Sequence, residues 1–184
     1  MHQGSRPTIS ALVRPTAREA DAGDWRDMRV SITWFGRRQA SPYEEQIETY
    51  RQRVNRRWKA EDHVVRPVTG GREKDSHRAL RLEAEIMLRH REPGWRMAVL
   101  DERGRGRDSV AFADWLGGLE DRGVVGVFFA IGSDLGLDPE LVDGADERLS
   151  LSPMTLPHLL ARLMLWEQLY RATDILSGGA YHRK

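Results

Sequence analysis

Three short stretches of this chain carry groups suited to chemistry. The first is Leu151-Ser152-Pro153-Met154-Thr155-Leu156-Pro157-His158. Its two prolines fix φ and remove two N–H donors, so the stretch resists regular pairing. Its remaining backbone groups could bond a planar polar ring, with the apolar side chains sandwiching it. The plain alternative is a strand-to-helix connection with His158 near a helix start, and the residues alone leave the two readings level. The second stretch is Ile131-Gly132-Ser133-Asp134-Leu135-Gly136. Glycines after an apolar run let backbone approach a ligand closely. The pattern is neither a G-x-G-x-x-G fingerprint nor a P-loop; by itself it points weakly to a site. The third is the terminal Tyr181-His182-Arg183-Lys184. It offers a phenol, an imidazole and two cations, although chain ends are usually solvated.

Other chemistries are disfavoured by what is missing. The 184 residues contain no cysteine, which removes disulfides, thiolate zinc sites, iron–sulfur clusters and a thiol nucleophile. The six histidines form no H-E-x-x-H pair or other ligand spacing, and no G-x-S-x-G elbow occurs. The longest apolar stretch, Val124–Ile131, is far short of the ~18 residues that span a bilayer as a helix. The expectation is a soluble cytoplasmic protein with no metal. Its 40% hydrophobic content and six tryptophans suffice for a core. A net charge of +1 hides an asymmetry, because residues 51–107 hold 16 Lys+Arg against 9 Asp+Glu. That segment is either a surface facing a polyanion or an ordinary solvated face, and charge alone favours the latter.

The elements that must position these stretches alternate strand and helix. Residues 1–27 show no period and read as a disordered extension, or as sequence ahead of a true start at Met28; residues 28–184 read as one domain. Arg29–Phe35 is strand-like. Ser41-Pro42 predicts the start of a helix with Ile47, Tyr50, Val54 and Trp58 at helical spacing. His63–Val68 reads as a strand. A helix from Asp75 carries Leu80, Ala84, Met87 and Leu88 on one face and stops at Pro93-Gly94. Trp95–Leu100 is a strand, Asp108-Ser109 opens a helix to Glu120, and Val124–Ile131 is the central buried strand. Asp138-Pro139 opens a short helix, Glu147–Ser152 alternates as a strand, and Pro157 opens a last helix to Leu176. On it, Leu159, Leu163, Trp166 and Tyr170 share a face. This order predicts an α/β three-layer sandwich around a largely parallel sheet. Ligands of such sheets bind beyond the carboxyl ends of the strands. Leu100–Gly106, Ala130–Gly136 and Leu151–His158 occupy those places.

Taken together, the stretches resemble the RlmH family of SPOUT-class ribosomal RNA methyltransferases. The resemblance rests on Thr155-Leu156-Pro157-His158, a helix with Glu167-Gln168-Leu169-Tyr170-Arg171-Ala172, the terminal Tyr181-His182-Arg183, and Leu100-Asp101-Glu102-Arg103-Gly104 ending a strand. It covers Met28 to the C-terminus. It implies a C-terminal trefoil knot, a homodimer and S-adenosyl-L-methionine as cofactor. It also implies methylation of N3 of a pseudouridine in helix 69 of 23S rRNA, on the assembled ribosome. Cofactor contacts carry over to Leu100, Gly132, Leu151, Ser152, Pro153, Met154, Thr155 and Leu156. The substrate side carries over to Tyr181, His182 and Arg183, in the same protomer or across the dimer, with Arg171 and His158 as further candidates.

That residue set suits methyl transfer, which needs in-line positioning rather than a metal or a covalent intermediate. The N3 proton must leave, and His182 has the right side chain to take it. Arg183 or Arg171 would stabilise a developing anion or hold a phosphate. Two departures stand out. Family loops usually read Gly-Gly-Pro-Glu-Gly or Gly-Gly-Ala-Asp-Gly, where this chain has Gly132-Ser133-Asp134-Leu135-Gly136. Gly179-Ala180 replaces the usual His-Pro or Ser-Pro before the terminal Tyr-His-Arg. The competing readings are a non-catalytic RNA- or ribosome-binding protein of the same fold, a SPOUT methyltransferase acting on another RNA, and a flavodoxin-like small-molecule binder.

Overall fold

The computed structural model describes residues 28–36, 41–68 and 76–182, together with Ile9. The expectations for the rest of the first 27 residues, for Asp75, and for Arg183 and Lys184 lie outside the described residues. Five strands form one sheet: β1 (Arg29–Phe35), β2 (Lys59–Val65), β3 (Arg96–Gly106), β4 (Gly126–Ile131) and β5 (Glu147–Ser150). Their order is β2-β1-β4-β3-β5, and every neighbouring pair is parallel. Five helices connect and cover them: α1 (Glu44–Val54), α2 (Ser76–Leu88), α3 (Ser109–Asp121), α4 (Pro139–Asp143) and α5 (His158–Leu176).

Strand alternation sorts the core into two layers. Val30, Ile32, Trp34, Val127, Phe129 and Ile131 face α1, α3 and α5, meeting Ile47, Leu116, Leu165 and Leu169. Phe35, Met97, Val99, Phe128 and Ala130 face the other way, against Ala84, Met87 and Leu88 of α2 and Leu141 of α4. Ile9 is buried in this second cluster. With helices on both faces, β4 is buried along its whole length, as its unbroken apolar run predicts.

Several boundaries differ from expectation for physical reasons. The first helix starts at Glu44 rather than Pro42, because Ser41 Oγ accepts the Tyr43 N–H in a preceding turn instead of capping the helix. The second strand is Lys59–Val65 and not His63–Val68. It pairs with all of β1, from Arg29 opposite Lys59 to Phe35 opposite Val65; as an edge strand it tolerates exposed Lys59 and Glu61, while the Asp62 side chain is buried against Arg162. β3 runs past Leu100 to Gly106, with a register break in which Leu100 and Arg105 both face Leu149. The residues between them bulge out over the sheet's carboxyl edge. β4 and β5 are each two residues shorter than read.

The last helix turns by about one position from the predicted face. Arg162, Leu165, Trp166, Leu169, Ala172 and Thr173 are buried, whereas Leu159, Leu163 and Tyr170 are only half-buried. An arginine on the core side explains the misreading. Arg162 is completely buried and bonds Asp62 of β2 and Glu44 of α1, so a charge holds a core position. No helix among the described residues is long and apolar enough to cross a membrane.

Candidate active site

The three predicted stretches converge at the carboxyl edge of the sheet, the first as the bulge within β3 and not as a loop after it, the others as the loops after β4 and β5, and they enclose a cavity of about 830 Å3. That volume is within the ~300–1,000 Å3 usual for small-ligand sites. Leu100, Gly132, Leu151, Ser152, Met154, Thr155 and Leu156 line it, as does His158; Pro153 does not. Asp101, Glu102, Arg103, Asp134 and Leu135 complete the polar and outer wall.

The glycine loop is a closed turn. The Gly136 N–H donates to the Ser133 carbonyl at 2.9 Å, with Gly136 at φ +85°. A Cβ on Gly132 would sit 2.6 Å from the Gly136 carbonyl oxygen, so only glycine fits there. Ser133, where the resemblance leads one to expect glycine, is accommodated. Its hydroxyl donates to Glu83 Oε2 at 2.8 Å and accepts the Leu135 N–H at 3.2 Å.

The proline-bounded loop is held by side chains. Ser150 Oγ donates to the Ser152 carbonyl at 2.9 Å, and the Met154 N–H donates to Ser152 Oγ at 3.0 Å. Thr155 Oγ1 donates to Glu102 across the cavity. Among the described residues, 152–156 make no backbone-to-backbone hydrogen bond. Apart from the Ser152 carbonyl and the Met154 N–H, which side chains engage, their backbone makes no bond among the described residues, in keeping with the two prolines.

His158 closes one wall. Its Nδ1 lies 3.3 Å from Asp134 Oδ1, and its ring stacks on Trp34 at 6.5 Å between centroids. One helical turn later, Arg162 lays its guanidinium over the same indole at 4.2 Å. Burial works against the charge on Arg162, but its bonds to Glu44 and Asp62 outweigh that and raise its pKa.

The other candidates form a separate cluster at the far end of α5. Arg171 donates through Nε to Glu167 Oε1 at 3.1 Å, and its guanidinium lies 4.7 Å from the Tyr181 ring. Tyr181 donates its hydroxyl to the same oxygen at 3.1 Å and packs on Tyr170. The backbone N–H groups of Tyr181 and His182 donate to Asp174 Oδ2 at 2.9 and 3.3 Å, so the tail is tied to the helix. The bond to Glu167 keeps Arg171 charged. Burial and its tyrosine and glutamate neighbours push the Tyr181 phenol well up, which leaves it a donor at neutral pH. Thirteen residues separate His158 from Arg171 along one helix, roughly 20 Å at ~1.5 Å per residue. One chain therefore does not bring the tail cluster to its own cavity along this helix.

Sequence reasoning missed Asp134 as a partner of His158, Glu102 as a partner of Thr155, and Glu83 behind Ser133. Glu83 carried a readable signal: it falls on the apolar face of its helix, four residues before Met87 and three after Leu80, where a carboxylate needs partners. Among the described residues, no group of three or more His, Asp or Glu side chains is placed to hold a metal ion.

Comparison with known proteins agrees with this arrangement. A family model described as "Predicted SPOUT methyltransferase" matches residues 28–182. A Rhizobium etli protein named ribosomal RNA large subunit methyltransferase H is 40% identical over 159 residues, covering 85% of this chain and 99% of its own length. Proteins of the same name from Phenylobacterium zucineum and Nitrobacter hamburgensis are 41% and 36% identical, with the same coverage of both chains. With an all-parallel α/β sheet and a loop-built cavity at its carboxyl edge, this chain belongs to the SPOUT methyltransferase family, whose methyl donor is S-adenosylmethionine.

Proposed function

We propose that this protein methylates N3 of a pseudouridine in helix 69 of 23S rRNA on the assembled ribosome, as a cytoplasmic homodimer. The observation that carries the reading is the cavity built by the bulge of β3 and the loops after β4 and β5, in a chain that covers methyltransferase H proteins over 99% of their length.

The lining fits S-adenosylmethionine. Leu100, Leu151 and Leu156 offer apolar faces for a ring, the 152–156 backbone offers donors and acceptors to its edge, and Gly132 permits close approach. Asp101, Glu102 and Asp134 put carboxylates on the wall, a field that favours a cation. When bound, S-adenosylmethionine supplies a methyl group on a positively charged sulfur. Leu100, Gly132 and residues 151–156 would hold it, and His158, braced by Trp34 and Asp134, would shape one side. His182 would accept the N3 proton. Arg171, kept charged by Glu167, would stabilise the uridine anion, joined by Arg183. Tyr181, with its hydroxyl committed to Glu167, would orient the tail.

These groups meet if two chains pair through α5. Leu159, Leu160, Leu163 and Met164 of that helix are half-buried, an apolar strip that a second copy would cover. Antiparallel pairing about a two-fold axis places the carboxyl end of one α5, with its Arg171–Tyr181 cluster, beside the amino end and cavity of the other. Of the two arrangements left open for the tail, the length of α5 supports a site shared across the dimer.

The test is methyl transfer from labelled S-adenosylmethionine to 70S ribosomes lacking the helix 69 methylation, to deproteinised 23S rRNA and to tRNA. The proposal expects label on the ribosomes alone. Label on tRNA would indicate a different RNA target, and cofactor binding without label on any RNA would contradict this substrate assignment.

A further inference from the structure

A buried carboxylate outside the cavity is bonded to its wall. Glu83, on α2, is 2% exposed and packed beside Ala84 and Met87. A carboxylate in such surroundings is tolerated when its oxygens are hydrogen-bonded, and both of these are. Oε1 accepts the Val68 N–H at 2.9 Å, and Oε2 accepts the Ser133 hydroxyl at 2.8 Å. Ser133 passes the constraint on: its Oγ accepts the Leu135 N–H and its carbonyl accepts the Gly136 N–H. A continuous set of bonds thus runs from a helix of the second core layer into the turn that lines the cavity.

We propose that Glu83 is a positioning residue for the cofactor site, acting through Ser133 to hold the Gly132–Gly136 turn in its binding form. This rests on the reading of the cavity as the S-adenosylmethionine site. Neither the turn's closure nor its tight Gly132–Gly136 contact is secured by apolar burial, since Ser133 is half-buried and Asp134, Leu135 and Gly136 are exposed. The turn therefore depends on its polar ties. The bond from Val68 fixes the same carboxylate to the chain leaving β2, so Glu83 references the turn to the sheet as well as to α2. Without Glu83, binding must also order the turn, and affinity falls by that cost.

The test is a double-mutant cycle of Glu83→Ala, Ser133→Ala and the pair, with Glu83→Gln as the conservative variant. A glutamine can keep its oxygen toward the Val68 N–H and offer its amide NH2 to Ser133 Oγ. Two quantities are measured: the Kd for S-adenosylmethionine by calorimetry, and amide exchange at Leu135 and Gly136 in cofactor-free protein. Each alanine variant should weaken binding about tenfold, the scale of one charge-assisted hydrogen bond. The double variant should be no worse than the weaker single, because both act along one path. Glu83→Gln should restore binding to within a few-fold, and exchange at Leu135 and Gly136 should quicken in both alanine variants. Effects that multiply in the double variant, or unchanged exchange at the turn, would overturn the proposal. If Glu83→Ala does not fold, Ser133→Ala and Glu83→Gln carry the same two measurements. If the unmutated protein binds no S-adenosylmethionine, the cofactor reading fails, and the exchange data decide the lock on their own.

Discussion

Replacing Arg162 with methionine should destabilise this protein far more than a surface substitution would. Arg162 is fully buried, and its Nε lies 3.1 Å from Asp62 Oδ2 while its Nη1 lies 2.8 Å from Glu44 Oε2. Asp62 has a side chain only 3% exposed, so it cannot recover hydration when the guanidinium goes; Glu44, at 32%, largely can. Breaking a buried pair from one side costs about 3–5 kcal/mol. In a domain of this size each kcal/mol moves Tm by about 2–4 °C, so Tm should fall by roughly 6–20 °C. Arg162→Met with Asp62→Asn removes both charges and should recover most of that loss, because methionine fills the aliphatic space over Trp34. The assay is thermal unfolding at one fixed protein concentration, which matters for a dimer. A fall of less than about 3 °C for the single variant, or a double variant as unstable as the sum of its parts, would mean that Asp62 is not left as an uncompensated buried charge.

Gly132→Ala should weaken S-adenosylmethionine binding about tenfold or more and lower Tm as well, since its Cβ would lie 2.6 Å from the Gly136 carbonyl oxygen and 3.1 Å from the Gly136 Cα, so the backbone of the turn must shift; calorimetry and a melting curve report the two effects. His182→Ala should depress turnover by about a hundredfold with cofactor Kd nearly intact, and strong loss of cofactor binding would remove His182 from the proton-accepting role. At S-adenosylmethionine concentrations too low for the Gly132→Ala cavity to fill, mixing that variant with the tail variant His182→Ala should restore activity toward about a quarter of the unmutated level. Random pairing makes half the dimers mixed, each with one intact composite site; no recovery would place the tail in its own protomer's site. Burial, then the neighbouring His63 charge, holds the His90 pKa below its usual value against the opposing pull of Glu61. The unfolded chain therefore takes up that proton first, so stability should drop as pH falls below about 6.5, and His90→Gln should flatten that slope in denaturant titrations across pH 5–7.5.

Much of this architecture was readable from pattern because the sheet is covered on both faces. β4 announces itself as an unbroken apolar run and β1 as a run rich in β-branched and aromatic residues, and Asp108 and Asp138 mark helix starts that their side chains do cap. The edge strand β2 was misplaced because few of its residues are buried, Ala60 toward one core layer and Val65 toward the other, and its pairing with β1, a tertiary effect, extends it through Lys59 and Glu61. The cavity loops were legible because glycine and proline have local conformational consequences. The partners behind them were not, since Glu83 reaches Ser133 across 50 residues and Arg162 reaches Asp62 across 100. Both, however, left a trace as charged residues on apolar helix faces. The separation of Tyr181 and Arg171 from the cavity needed only the length of α5, a quantity the sequence contained but motif matching ignored.

The most direct measurement is to map the methyl group that this protein places on ribosomes lacking the modification. Labelled 23S rRNA would be digested and its nucleosides analysed by mass spectrometry after fragment isolation. A single methyl on N3 of a pseudouridine in helix 69 is expected, diminished when Gly132→Ala protein is used at limiting S-adenosylmethionine. A methyl on any other base or atom would contradict it, as would undiminished labelling by the Gly132→Ala variant.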